Sequence, residues 1–587
     1  MEELNVNTLW GRTVAEELSK AGVEDAVLAP GSRSTPLAVA FASHPEIRAV
    51  SHLDERSAAF FALGYAKRTG RPAPVVCTSG TALSNLHPAV VEADAARVPM
   101  VLLTADRPPE LSDSGPNQTI AQETFYGDFV RQYRKLPAPE AADRKLRSLR
   151  TALSRAVGTA CGPDAGPVHL DVPFRKPLEP NAGAEAAPAG VPDGRLPEGF
   201  ETPTRPATAG RDGPFVSTTR GRARLSKADR RSIVGAIESA DSGLIVCGPT
   251  DRPAPEPNAL SALARASGFP VLADPLSGHR FGAHVESMTV CGGYDGYLPA
   301  IEATPDVVVR FGASPTSKPL RNYLRDAGGR QFLVDPAGGW REATFTATDL
   351  VVADETRFAA DLAAELDRDS GTYAARFAEA ESAYWRFVDG EEPPEGAVVA
   401  DTVGLAPDPA TVFVSNSMPV RDLDRFGKPR SAALSVLGNR GASGIDGITS
   451  SALGAGYGTA DPLVLVTGDL AYYHDMNGLL AVARAGVDAT IVCLNNDGGG
   501  IFHLLPIEEH DSFETWFRTP HGLDFERSAE LYDLAFARTD DREEFRELYT
   551  EAVGRDGTRV IEVTIDSERN HDSRRRLERA VVDRLAE

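Results

Sequence analysis

Short apolar, β-branched runs alternate along the chain with stretches whose apolar positions recur at helical spacing. Residues 26–30, 48–54, 73–78 and 98–104 read as strands, and each runs into small or oxygen-bearing residues. Residues 55–67 read as a helix. Pro36 fits the first turn of another, with Thr35 as a candidate cap. Residues 181–225 are rich in Pro, Gly and Ala and read as a linker or long surface loop. The alternation then resumes with a helix at 227–240 and strands at 243–247, 306–311 and 331–335. From about residue 370 come a helix at 373–388 and strands at 411–415, 462–469, 489–495 and 559–565. The pattern is doubly wound α/β, with three open parallel-sheet domains spanning 1–180, 226–368 and 369–587 and the linker 181–225 between the first two. No short-period repeat is visible.

Two of these strands end in a distinctive way. Residues 462–469 close on Gly468-Asp469, and residues 489–495 close on Asn495-Asn496-Asp497-Gly498-Gly499-Gly500. One crossover unit separates them, so Asp469 and Asn496 are expected at the same sheet rim, where ligands of such sheets bind. A carboxylate, an amide oxygen and bare Gly backbone suit a hard cation that retains phosphate ligands, such as magnesium. The competing reading is a pair of loop-capping residues at strand ends.

Composition narrows the class. At 587 residues with 42% hydrophobic and 25% charged residues, the chain exceeds one core and reads as a globular protein of several domains. No apolar run is long enough to span a membrane, and residues 1–6 lack the pattern of a signal peptide, so a cytoplasmic location is expected. Five scattered cysteines with no Cys-x-x-Cys give neither a disulfide framework nor a zinc site. A net charge of −23 without a basic face disfavours nucleic acid. Lysine occurs only at 20, 67, 135, 145, 176, 227, 318 and 428. An acidic, lysine-poor surface suits a salty cytoplasm, where self-repulsion is screened; a GC-rich genome is the alternative source of the bias.

Further candidates sit at predicted strand ends. Glu55 follows a strand and opens a helix; a helix-start acid is its ordinary reading unless it faces a cofactor. Arg33, Arg107, Lys318, Arg421 and Arg440 lie in loops after strands or among Gly, Ser and Asn, and together suit a substrate with several carboxylates. Gly454-Ala-Gly456-Tyr-Gly458 precedes a strand instead of following one, so it reads as a small-residue helix packed under a sheet, not a dinucleotide loop. Cys161, His169 and Asp171 lack a nucleophile turn and do not form a protease triad.

The Gly-Asp and Asn-Asn pairing, with a strand-end Glu in the N-terminal third, resembles the thiamin-diphosphate enzymes. More specific runs carry the likeness further: Ala29-Pro-Gly-Ser-Arg-Ser-Thr-Pro36, His52-Leu-Asp-Glu-Arg56, Thr78-Ser-Gly-Thr81, Leu103-Thr-Ala-Asp-Arg-Pro-Pro-Glu110, Asn117-Gln118, Gly312-Ala-Ser-Pro-Thr-Ser-Lys318, Asn416-Ser417 and Asn439-Arg-Gly-Ala-Ser-Gly-Ile-Asp-Gly447. Together they closely resemble the 2-succinyl-5-enolpyruvyl-6-hydroxy-3-cyclohexene-1-carboxylate synthase family of menaquinone biosynthesis. The resemblance implies a pyrimidine-binding N-terminal domain, a middle domain without cofactor, and a diphosphate-binding C-terminal domain. It implies a transferase that decarboxylates 2-oxoglutarate and adds the succinyl carbanion equivalent to isochorismate, working as a homodimer or homotetramer. Glu55, Arg33 and Gln118 would be catalytic, with Glu55 hydrogen-bonded to the cofactor's pyrimidine. Thr81, Ser417, Ile445, Gly468, Asp469, Leu470, Asn496 and Gly498 would join Glu55 in holding thiamin diphosphate. Asp469, Asn496 and Gly498 would bind magnesium or manganese. Ser32, Arg33, Arg107, Asn117, Gln118, Lys318, Ser417, Arg421 and Arg440 would line the substrate pocket. Two departures stand out: Leu470 replaces the superfamily's usual Gly, and Asp497 stands where relatives also carry Asn. The rival reading is a sister thiamin enzyme such as an acetolactate synthase, which would need neither the Arg set nor the Ser-Arg-Ser-Thr-Pro run.

Overall fold

The computed structural model describes residues 4–181, 203–250, 252, 254–369 and 371–586. Its named strands form three six-stranded sheets in which every pair is parallel. The first holds β1 (Asp25–Leu28), β2 (Arg48–Ser51), β3 (Pro74–Cys77), β4 (Met100–Asp106), β5 (Gln132–Lys135) and β6 (Pro167–Pro173), in the order β2-β1-β3-β4-β6-β5. The second holds β7 (Gly243–Cys247), β8 (Val271–Ala273), β9 (Val290–Cys291), β10 (Val307–Phe311), β11 (Arg330–Val334) and β12 (Asp349–Val351), ordered β12-β11-β10-β7-β8-β9. The third holds β13 (Ala410–Val414), β14 (Leu434–Leu437), β15 (Leu463–Gly468), β16 (Ala489–Asn495), β17 (Ala535–Thr539) and β18 (Arg559–Thr564), ordered β14-β13-β15-β16-β18-β17.

These orders matter for function. The first and third sheets share one topology, in which the first strand lies between the second and the third. The middle sheet, read from its other edge, has the dinucleotide-fold order 3-2-1-4-5-6. Chain direction reverses across the sheet between β1 and β3, and again between β13 and β15. In open α/β sheets ligands settle beyond the strand C-termini at such switch points. Central strands are apolar through and through because helices cover both faces: β1, β3, β4 and β6 are buried at every position.

The chain separates into two compact units. One comprises residues 1–220, 439–460 and 475–487; the other comprises 221–438, 461–474 and 488–587. The first sheet lies in the former and the other two in the latter. Of the expected linker, residues 182–202 lie outside the described residues. Residues 205–208 form a helical turn whose Ala207 carbonyl accepts from the fully buried Arg150, which also meets Glu17 at 3.1 Å.

Within the first unit the Glu55–Thr69 and Ile448–Tyr457 helices cross closely. A Cβ on Gly64 would lie 1.8 Å from the Ser451 carbonyl oxygen, and one on Gly454 would lie 1.9 Å from that of Phe61. Residues 454–456 are thus helical and tightly packed, as expected, but their partner is this helix and not a sheet. The cap expected at Thr35 is also corrected. Thr35 is the first residue of the Thr35–Ala42 helix, and its hydroxyl donates to the Ser32 carbonyl. All five cysteines are free, and four are buried. His169 and Asp171 belong to a buried network with Thr104 and Gln122, in which Thr104 Oγ1 lies 2.7 Å from His169 Nε2. Among the described residues, no helix is long and apolar enough to cross a membrane.

Candidate functional site

The sequence-derived residues divide between the two units, most of them in loops or helix starts that follow the C-terminal ends of strands. In the first unit, Ser32 and Arg33 follow β1, and Thr81 follows β3. Arg33 is 6% exposed; its Nη1 donates to the Phe174 carbonyl at 2.7 Å, and its backbone N–H donates to Thr78 Oγ1. Burial, and then the charge of nearby Arg107, pull the Arg33 guanidinium below its ordinary pKa. The Phe174 N–H in turn donates to the Asp106 carbonyl, so the buried Arg33 guanidinium is tied to the end of β4 that Arg107 follows, and two like charges on one rim favour an anion.

Arg107 follows β4. Its backbone N–H donates to Asp106 Oδ1, and its Nη2 donates to the Asn117 carbonyl at 2.6 Å. Gln118, at φ +54°, exchanges two bonds with Ser79: Gln118 Nε2 donates to Ser79 O at 3.1 Å, and Ser79 Oγ donates to Gln118 O at 2.8 Å. The Asn117–Gln118 loop is therefore laced to the loops after β3 and β4. Gln122 completes the lacing, accepting from Gly80 N–H and donating to Asp171 Oδ1 at 2.9 Å.

Glu55 opens its helix directly after Asp54, whose carboxylate caps the N–H groups of Arg56 and Ser57. Burial first, and the charge of Glu55 second, push the Cys77 thiol up. The loop carrying Arg440 and Ile445 is held by Glu92, 2% exposed. Its carboxylate accepts from the N–H groups of Gly441, Ala442 and Ser443 at 2.8, 2.6 and 3.3 Å.

In the second unit β15 and β16 pair with Gly468 opposite Leu494, so Asp469 and Asn496 leave adjacent strands at one rim. Asp469 Oδ1 accepts from the Leu470 N–H at 2.6 Å, and its Oδ2 accepts from the Gly498 N–H at 2.9 Å. Gly498 must be glycine: its φ is +139°, and a Cβ would lie 2.0 Å from the Arg518 carbonyl oxygen. Asn496 is buried and donates through Nδ2 to Glu395 Oε1 at 2.6 Å, while its Oδ1 has no hydrogen-bond partner among the described residues. His521 Nε2 lies 3.2 Å from Asp469 Oδ2, and this contact, ahead of burial, raises the imidazole pKa. Burial works against ionisation of Asp497, but the N–H groups of Gly522 and His521 outweigh it and hold the carboxyl below its ordinary range.

This donor set suits a hard, oxygen-seeking cation. A buried amide oxygen stands unsatisfied beside a carboxylate and glycine backbone, and buried polar atoms are seldom left that way. Among the described residues no three His, Cys, Asp or Glu side chains cluster as metal ligands. That pattern would mark zinc or iron, not a cation sharing its shell with phosphate. Ser417 follows β13 at the switch point with φ +70°, a strained value for a non-glycine residue, and its carbonyl accepts from Arg421 Nη1. Lys318 and Arg421 line a cavity of about 920 Å³ with Arg321, Phe502, Leu505 and Glu578.

Comparison with known proteins decides the family. Residues 10–127 match the thiamine pyrophosphate enzyme N-terminal TPP binding domain, and residues 425–563 match the C-terminal TPP binding domain. The chain is 73% identical over 581 residues to 2-succinyl-5-enolpyruvyl-6-hydroxy-3-cyclohexene-1-carboxylate synthase of Natronomonas pharaonis, covering 99% of both chains. The chain belongs to this synthase family. The synthase of Haloarcula marismortui is 59% identical over 592 residues, with 99% of each chain covered, and that of a Roseiflexus species is 46% identical with 96% covered. The halophilic hosts of the first two fit the acidic, lysine-poor composition. A solved thiamine diphosphate-dependent 4-hydroxybenzoylformate decarboxylase from Rhodococcus jostii superposes with a TM-score of 0.70 at 18% identity, covering 95% of this chain and 99% of that one, a likeness of fold.

Against this synthase frame, sequence reasoning did not single out Glu92, Gln122, Glu395, His521 or the apolar wall of Phe502 and Leu505. Glu395 reads only as an acid in the first turn of the Pro394–Gly404 helix, and Glu92 lies inside another helix. Their partners are remote in sequence, so no local pattern marks them.

Proposed function

We propose that this synthase-family chain decarboxylates 2-oxoglutarate and joins the remaining four-carbon fragment to isochorismate. The products are carbon dioxide and 2-succinyl-5-enolpyruvyl-6-hydroxy-3-cyclohexene-1-carboxylate. The observation that carries the reading is the buried Arg33 after β1, tied through Phe174 to the end of β4 that Arg107 follows, in a chain 73% identical to a synthase of that name. Both substrates are dianions, and a preorganised, partly desolvated guanidinium stabilises such charge far better than water-exposed lysines would.

When bound, thiamin diphosphate supplies the nucleophilic carbon and the electron sink for loss of carbon dioxide. Asp469, Asn496 Oδ1 and the Gly498 backbone would hold its diphosphate through Mg2+ or Mn2+, with Gly468, Leu470 and Ser417 beside them; Thr81, in the first unit, would be a further cofactor contact. Glu55, at the start of its helix, would hydrogen-bond a ring nitrogen and hold a proton there. Ile445, 36% exposed, offers an apolar surface that would pack against the cofactor. Gln118, locked against Ser79, orients a substrate carboxylate together with Ser32, Asn117 and Arg440. Lys318 and Arg421 bring cationic donors, with Phe502 and Leu505 excluding water around them. The chain works as a homodimer or homotetramer in the cytoplasm.

The test is direct. Purified protein with thiamin diphosphate, Mg2+, 2-oxoglutarate and isochorismate should deplete isochorismate absorbance, and Glu55→Gln should stop it. No depletion at any salt concentration would overturn the reading.

A further inference from the structure

Asn496 can serve a cation only if its amide turns the oxygen toward it. An amide side chain is nearly symmetric in shape, so something must choose between its two ends. The choice is made from behind. Asn496 Nδ2 donates to Glu395 Oε1 at 2.6 Å, a short bond to a side chain only 1% exposed. A carboxylate accepts and an ionised one cannot donate, so this contact selects the amide orientation that leaves Oδ1 outward. Oδ1 is the atom left without a partner among the described residues. Glu395 is itself fixed, because its backbone N–H donates to Asn570 Oδ1 at 3.1 Å, tying the start of the Pro394–Gly404 helix to the Ser567–Ala586 helix. Burying a carboxylate is costly, and the charge of the buried Arg574 offsets part of that cost without itself orienting the Asn496 amide.

We propose that Glu395 is a positioning residue for the metal: it orients the Asn496 amide so that oxygen, not nitrogen, faces the cation. The proposal rests on the reading of Asp469 and Asn496 as metal ligands. Glutamine at position 395 would have the same shape but could offer its NH2 to Asn496 Oδ1 and turn the amide around. The reciprocal exchange, Glu395→Gln with Asn496→Asp, keeps one donor and one acceptor across the contact and again leaves a free oxygen outward.

Mn2+ binding in the presence of thiamin diphosphate, followed by the electron paramagnetic resonance of free Mn2+, reads this without turnover. Glu395→Gln should weaken Mn2+ binding by roughly 10- to 100-fold, the usual consequence of losing a ligand's supporting partner. Asn496→Asp alone, which sets two carboxylates face to face, should also bind weakly and recover about tenfold when Glu395→Gln is added. Thermal melts of all four proteins identify any variant that is unfolded, and the recovery in the double variant cannot come from a merely structural role. Binding by Glu395→Gln within about twofold of the parent, or no recovery in the exchange, overturns the proposal. Failure of the parent itself to bind Mn2+, or full affinity in Asp469→Asn, overturns the underlying metal reading and the proposal with it.

Discussion

Gly64→Ala is the sharpest probe of how the first unit positions its chemistry. The new methyl carbon would lie 1.8 Å from the Ser451 carbonyl oxygen, 2.6 Å from its carbon and 2.8 Å from its Cα. All three are backbone atoms of the Ile448–Tyr457 helix, so no side chain can swing away. The helices must part by more than about 1 Å, and overpacking of this kind costs about 1–3 kcal/mol, here toward the upper end. For a unit of this size that is a fall in melting temperature of roughly 5–10 °C. The chemistry should suffer too. The Glu55–Thr69 helix begins at Glu55, and the partner helix follows the loop that carries Arg440 and Ile445. A displacement of about 1 Å in such groups costs on the order of a hundredfold in rate. Gly235→Ala is the control: it lies on the exposed face of the Lys227–Glu238 helix with nothing within 4 Å of a new Cβ, and should stabilise by about 0.5–1 kcal/mol. Scanning calorimetry and isochorismate depletion measure both effects. If Gly64→Ala melted within about 1 °C of the parent and kept its turnover, the close crossing would be wrong.

Three further outcomes follow from the same structure. Glu92→Ala removes the acceptor of three loop N–H groups and should cost on the order of 3 kcal/mol in denaturant melts, with kcat/KM falling because Arg440 adjoins that loop; unchanged stability would refute the clamp. Asp171 is pushed up to about 7, first by burial and then by Asp106, so the folded state holds its proton where the unfolded chain has lost it. That group's contribution declines as pH rises from about 4 to 7, and Asp171→Asn should therefore gain on the parent in melts at pH 8 relative to pH 5; a constant difference would refute the shift. With a net charge of −23, the melting temperature should climb between low salt and molar KCl, and a flat response would count against adaptation to salt.

The sequence is most legible where strands are central and apolar. Residues 243–247 and 489–495 are strands over the spans expected, and 559–565 differs by one residue. The edge strands β5 and β17 escaped notice because Gln132-Tyr-Arg-Lys135 and Ala535-Phe-Ala-Arg-Thr539 are half polar and pair on one side only. The expected strand at 48–54 stops at Ser51, since Asp54 caps the next helix and needs a loop to reach it. The meeting of Asp469 and Asn496 at one rim was readable, because parallel pairing and crossover length fix it. The supports behind them were not. Glu395 reaches Asn496 across 101 positions, and Glu92 reaches Gly441 across 349. Local patterning carries no trace of such separations.

The composition of the first unit from three stretches of chain also bears on how the protein is made. Its last pieces, residues 439–460 and 475–487, are excursions between strands of the third sheet. As the ribosome releases the chain from its N-terminus, the Glu55–Thr69 helix emerges early with Gly64 bare and its facing helix not yet synthesised. Residues 1–220 therefore have to wait, incompletely packed, until residue 487 is out. Expression of residues 1–220 alone is a poor route to a soluble domain. A chain split after position 220 needs both halves present in the same cell to fold.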